Sequence, residues 1–227
     1  MGRFIRLLWL ALIPVFAVHS DAAAKPHALS FGAWITVKWN TEPDPSKPLT
    51  LKIRPLLVDG RVREYVLGSP HDVTDRLFVV RRAFRLNDSL PEDSGAPRWQ
   101  WQRGGWILVD RTTGRISPLI LPEFDALYSL AAWYRDYAAY CGVSDDGKKI
   151  DLFVIQLGRR RPVLKKPLVS DGLPDDAPPD SACAAPLWQR TPTRVTFEAN
   201  GARQTFAIRG HAVDLVSHDD EEDEDSK

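Results

Sequence analysis

Short runs of alternating apolar and polar residues, broken by turn residues, make up most of this chain. From Phe31 to Trp39, the residues Ala33, Ile35, Val37 and Trp39 fall on one face and Trp34, Thr36 and Lys38 on the other. That period of two marks a half-buried strand. Leu49–Val58 and Arg61–Leu67 flank Asp59-Gly60, a pair suited to the positive φ angles of a tight type I′ hairpin turn. Pro55 inside the first arm points to an edge strand or a bulge, because it cannot donate to a ladder. Gly68–Asp75 reads as a turn region. Arg76–Leu86 reads as a strand whose Arg81, Arg82 and Arg85 face solvent or a partner.

The pattern then tightens. Arg98–Arg103, Trp106–Asp110 and Arg115–Leu121 are expected strands, separated by turns at Gly104-Gly105 and Arg111–Gly114. Ala138–Val143, Lys149–Leu157 and Arg161–Lys166 repeat the scheme, with a turn at Asp145-Asp146-Gly147. Between them, Phe124, Leu127, Tyr128 and Ala131 fit a helical period. The dense aromatics of Pro122–Tyr137 nevertheless favour β structure, or one helical turn followed by a strand. Ser170–Pro186 is proline-rich loop. Thr193–Ala199 and Arg203–Arg209 form a hairpin across Asn200-Gly201, and His211–Val216 is a last strand. The expected fold is all-β: antiparallel meanders forming a sandwich, an irregular barrel or a small propeller-like domain, with little helix.

Within Trp99–Lys166 a motif recurs. Gly114-Arg115-Ile116-Ser117-Pro118-Leu119-Ile120 returns 44 residues later as Gly158-Arg159-Arg160-Arg161-Pro162-Val163-Leu164. With its short strands and Asp-Gly turns, this stretch resembles β-propeller blades, whose periods run to about 40–50 residues. The resemblance covers residues 99–166 only. It implies a binding or scaffold role more often than catalysis, and fold alone does not decide function.

Composition adds a compartment. Met1–Ala24 has the three parts of a secretory signal peptide: Arg3 and Arg6, then the apolar Leu7–Val18, then Ala22-Ala23-Ala24 before Lys25. The apolar run is shorter than the ~20 residues a membrane span needs, so no transmembrane segment is expected after cleavage. Residues 25–216 are expected to form one all-β domain, and 217–227 a disordered acidic tail holding seven acids and one lysine. The formal net charge of zero therefore hides +5 on residues 25–216. That surplus is too mild for a nucleic-acid binder. In a periplasmic or extracellular setting the two cysteines, Cys141 and Cys183, are expected to pair.

Candidate chemistry is sparse. The chain lacks G-x-S-x-G, H-E-x-x-H, P-loop, G-x-G-x-x-G and C-x-x-C motifs, so no catalytic residue, cofactor or metal ligand is assigned. His71-Asp72 pairs a base with a carboxylate but lacks a nucleophile, and Asp145-Asp146-Gly147 suits a turn better than a calcium loop. Trp99, Trp101, Trp106, Trp133, Tyr134 and Tyr137 are expected to fill a core. Any ring left outside makes a stacking platform, with Trp99, Trp101, Arg98 and Arg103 as its candidate residues. Arg159, Arg160, Arg161, Lys165 and Lys166 form the dense basic run, a candidate patch for an anionic partner or for the acidic tail. The expectation is an exported, non-catalytic binding or envelope-associated module whose partner is a glycan, a peptide or an envelope protein. The alternative is a secreted hydrolase with a site assembled from distant residues.

Overall fold

The computed structural model describes residues 26–39, 49–89, 95–144, 149–168, 183–199, 202–209 and 212–216. The proposed signal peptide, the acidic tail, Asp145-Asp146-Gly147 and the Asn200-Gly201 turn lie outside those residues. Among the described residues the fold is all-β and antiparallel, with three sheets and no closed barrel.

The first sheet contains β1 (Leu29–Phe31), β2 (Ile35–Trp39), β3 (Leu49–Val58), β4 (Arg61–Asp72), β5 (Leu77–Asn87), β6 (Trp99–Asp110) and β7 (Ile116–Leu119). Its order is β1-β3-β4-β5-β6-β7, with β2 also on β3. The second sheet is a meander of β8 (Ala132–Tyr134), β9 (Tyr137–Val143), β10 (Ile150–Gln156) and β11 (Leu164–Pro167). The third is a meander of β12 (Leu187–Gln189), β13 (Arg194–Ala199), β14 (Ala202–Arg209) and β15 (Ala212–Val216).

Asp59 and Gly60 adopt φ of 52° and 74° at the β3–β4 turn, as the type I′ reading requires. Three other sequence expectations need correction, each for a local reason. Phe31–Trp39 is two strands, not one. β1 pairs with Leu56–Val58 and β2 with Leu49–Ile53, so the chain breaks opposite Pro55. Pro55 offers no N–H there; its carbonyl instead accepts from Gly32 N at 2.9 Å. A Cβ on Gly32 would lie 2.5 Å from Pro55 Cγ, so the crossing requires glycine. Pro55 thus sits on an interior strand, and the register shift falls just beyond it, between Leu56 and Leu57.

Gly68–Asp75 is not a turn throughout, because β4 continues to Asp72 across a register shift between Leu67 and His71, with Gly68 at φ 66°. Gly104-Gly105 does not end a strand either. Arg81 pairs with Trp106 and Ala83 with Arg103, which places Gly104 and Gly105 opposite Arg82 alone. Two residues against one is a β-bulge, a device that re-aims side chains without breaking the strand.

The repeat glycines Gly114 and Gly158 both adopt positive φ, 64° and 80°, before the last strand of a meander. The strands that follow start at Ile116 and at Leu164, so the two copies share a turn but not a register.

The second sheet is the middle layer. Its β9 and β10 are near-continuous apolar runs, and their two faces are buried against different neighbours. Ala138, Tyr140, Phe153 and Ile155 pack with Trp106, Leu119, Leu121 and Phe124. Ala139, Cys141, Leu152 and Val154 pack with Val195, Phe197, Phe206 and Ile208 of the third sheet. A strand buried on both faces loses the alternation that marks a half-buried one. Tyr140 stacks on Phe153 at 5.3 Å, and its hydroxyl donates to the Pro122 carbonyl at 2.8 Å. Burial pushes that phenol well above its usual range. The Asp125 turn beside it closes with Ser129 N donating to Asp125 O at 2.8 Å, a single helical turn leading into β8.

The first sheet is strongly twisted, as long antiparallel sheets are, and each face closes across a different diagonal. On one, Trp39 at the end of β2 donates to Gln102 Oε1 of β6 at 3.3 Å, over Leu51, Ile53 and Ala83. On the other, His27 N reaches Thr112 O at 3.4 Å, over Leu56, Val66, Phe78 and Val109.

A candidate binding surface on the first sheet

Register places one set of side chains together. Trp99 pairs with Asn87, Trp101 with Arg85 and Arg103 with Ala83, and Ala83 in turn pairs with Tyr65. Directly opposed residues share a face, so Trp99, Trp101 and Arg103 form a line with Arg85, Arg81 and Tyr65 beside it. The Arg85 guanidinium carbon lies 5.8 Å from the Trp99 ring and 5.4 Å from that of Trp101. Tyr65 meets Trp101 edge-on at 4.9 Å, and the Arg103 guanidinium sits 3.9 Å over Trp39. All three cation contacts are within the ~6 Å at which a ring face attracts a cation.

Exposure grades along this line. Trp99 is 58% exposed, Trp101 is half-buried against Tyr65, and Trp39 is buried at 5%. The aromatic set expected in the core is therefore divided. Trp106 and Trp133 do serve packing, meeting edge-on at 5.3 Å between the first two sheets. Tyr134 and Tyr137 pack on Trp188 of the third sheet.

The bulge makes this division. Arg103 and Trp106 are three apart and would point to opposite faces of a regular strand. With Gly104 and Gly105 inserted opposite Arg82, both project to the same face, Trp106 into the second sheet and Arg103 onto the open part. A Cβ on Gly104 would meet Arg82 O at 3.0 Å and Phe84 Cδ1 at 3.2 Å, so the backbones approach too closely for another residue without displacement.

Not every expected site residue joins the line. Arg98 turns away and donates to the Asp88 carbonyl at 3.0 Å. The basic run also divides. Arg159, Arg160 and Arg161 are exposed before β11, but alternation sends Lys165 and Lys166 to opposite faces. Lys165 bonds Glu123 and lies 3.1 Å from Asp151, and those two hydrogen bonds push its ammonium pKa up. Lys166 lies 5.5 Å over Phe206. His71 acts as a joint: it donates to the Arg135 carbonyl at 2.8 Å and stacks on Trp133, while Asp72 pairs with Arg111 at 2.7 Å. Cys141 and Cys183 are disulfide-bonded, with Cα atoms 6.4 Å apart. Ala184 N, one residue on, donates to Glu198 O at 2.9 Å, so the bridge ties the middle layer to the third sheet.

Arg85 and Tyr65 border this line, with the partly buried Arg81 and the buried Trp39 beside it, although no local motif marks them. Their only sequence signal is register: Arg81, Ala83 and Arg85 alternate on one strand as Trp99, Trp101 and Arg103 do on the next. A separate groove of about 320 Å³, lined by Arg63, Glu64, Arg82, Ile107, Gly114, Ile116 and Pro118, lies on the opposite face. No group of three or more His, Cys, Asp or Glu converges among the described residues. In comparisons with known proteins, no family model, no curated protein and no solved structure matches this chain.

Proposed function

We propose that the chain is an exported, non-catalytic binding module, and that its ligand is a glycan lying along Trp99, Trp101 and Arg103. The observation that carries the reading is the exposed indole of Trp99 in line with Trp101, with the Arg85 guanidinium against both rings. Indole faces match the C–H face of a pyranose, and the Arg85 guanidinium over the same rings carries N–H donors suited to hydroxyls. Two rings and a cation spaced along one strand suit an extended polymer more than a small metabolite. The disulfide supports an oxidising compartment, since such bonds persist outside the cytosol.

The test is tryptophan fluorescence. Acrylamide should quench a fraction of the emission that Trp99→Ala removes. Soluble oligosaccharides should protect that fraction, and Trp99→Ala should weaken their binding roughly 30-fold, the scale of a central tryptophan anchor. If Trp99→Ala leaves glycan binding intact, the ligand does not lie here.

A further inference from the structure

We propose that the glycan is acidic, its repeat carrying a carboxylate or a phosphate that the Arg81–Arg85–Arg103 cluster recognises; this rests on the glycan reading above. The argument starts from charge along the first sheet. Its seven strands hold nine Lys and Arg against three Asp and Glu. All three acids are already engaged: Asp72 by Arg111 at 2.7 Å, Glu64 by Arg82 at 2.8 Å, and Asp110 by Arg76 at 3.0 Å.

The arginines on the binding face are left with other partners. Among the described residues, Arg85 meets the rings of Trp99 and Trp101, and Arg103 the ring of Trp39. Arg81 donates to two backbone carbonyls, Gly104 O at 3.2 Å and Ala126 O at 2.5 Å, with its guanidinium 5.6 Å over Phe124. Arg85 and Arg103 form no ion pair with a carboxylate of the described residues, and Arg81 feels the Asp125 charge, which offsets part of its burial.

The partly buried members, Arg103 and Arg81, are costly to hold with so little counter-charge. A half-buried cation has lost hydration that ring faces and neutral carbonyls restore only in part. Burial lowers the Arg103 pKa, and lowers that of Arg81 to about 10, with the Arg103 charge as the next cause. Both stay protonated at neutral pH, so two like charges face one region together. An anion entering there relieves desolvation and repulsion at once, and a planar guanidinium suits the two oxygens of a carboxylate or phosphate. Trp99 and Trp101, on the same face, hold the sugar ring beside it. Rings alone would accept neutral and acidic sugars alike, whereas the unpaired arginines discriminate.

The experiment measures affinity of the full chain by calorimetry for three probes: tetragalacturonate, a phosphorylated mannan fragment and neutral galactotetraose. At low salt, one or both acidic probes should bind at least tenfold tighter than the neutral one, and the advantage should shrink as salt screens it. Which acidic probe binds identifies the anion. Arg85→Gln and Arg103→Gln should each reduce acidic binding roughly five- to tenfold and leave neutral binding within twofold. Arg115→Gln, an exposed residue off this face, removes the same unit charge and should change nothing. Thermal melts of every variant separate lost binding from lost folding. Equal affinity for acidic and neutral probes, with both lost on Trp99→Ala, would overturn the acidic assignment and leave the glycan reading standing. Binding of none of the three by folded protein overturns both.

Discussion

Phe153 and Val154 are neighbours on β10 and belong to different interfaces. Phe153 is 1% exposed and packs toward the first sheet; Val154 is fully buried toward the third. In a two-layer sandwich one of any such pair faces solvent, and its truncation changes stability by no more than about 0.5 kcal/mol. In three layers both truncations are core deletions. Phe153→Ala removes a ring stacked on Tyr140 at 5.3 Å and should cost about 3–5 kcal/mol. Val154→Ala removes two methyl groups at roughly 0.8 kcal/mol each, plus a cavity contribution, for about 2–3 kcal/mol. For a chain of this size each kcal/mol lowers Tm by about 2–4 °C, so the two variants should melt roughly 10 °C and 7 °C below the parent. The assay is urea unfolding of the oxidised protein, with unchanged m-values showing that the native surface is intact. A Val154→Ala variant within about 0.5 kcal/mol of the parent would refute the middle-layer packing.

Three further outcomes follow from local geometry. Reducing Cys141–Cys183, which closes 42 residues, should destabilise by up to about 4 kcal/mol in the chain-entropy account, read as a drop in Tm with reductant that Cys141→Ser no longer shows. Gly104→Ala should cost about 1–3 kcal/mol because its Cβ meets the Arg82 carbonyl, whereas Gly105→Ala, with open space around it, should be close to neutral in the same melt. Asp110 is held below the usual carboxylate range, first by the Arg76 hydrogen bonds and then by the Thr113 and Thr112 backbone N–H groups. A depressed folded-state pKa gives stability that is present above the unfolded value, about 3.9, and is lost as pH falls through and below it. Tm should therefore fall more steeply between about pH 5 and 2 in the parent than in Arg76→Ala; parallel slopes would remove Asp110 from the acid response.

What the sequence made legible was local. Asp59-Gly60 named its turn because only a few residues accept positive φ at two successive positions. Alternation read over Phe31–Trp39 and along the hairpin arms marked strands because successive side chains point to opposite faces. The errors fall where two chain segments distant in sequence decide the outcome. Gly104-Gly105 looks like a turn until Arg82 is placed opposite it, and Phe31–Trp39 looks continuous until Pro55 interrupts its partner. The middle layer was legible as strands but not as a layer, since nothing in β9 or β10 states how many sheets will cover it. The candidate surface was half legible. Trp99, Trp101 and Arg103 stand two apart on one strand, while Arg85, Arg81 and Tyr65 join them only through register.

The middle sheet also sets an order of assembly. Strands pair almost wholly with their neighbours in sequence, so each sheet can form from what has already left the ribosome. The second sheet is unfinished when its own strands are complete. Until residues 187–216 arrive, Ala139, Leu152 and Val154 present an apolar face with no cover. A chain stopped after Pro167 would hold the first sheet, the whole aromatic and arginine surface and a sticky back. The third sheet covers that back, so its deletion should yield aggregates rather than a smaller folded protein.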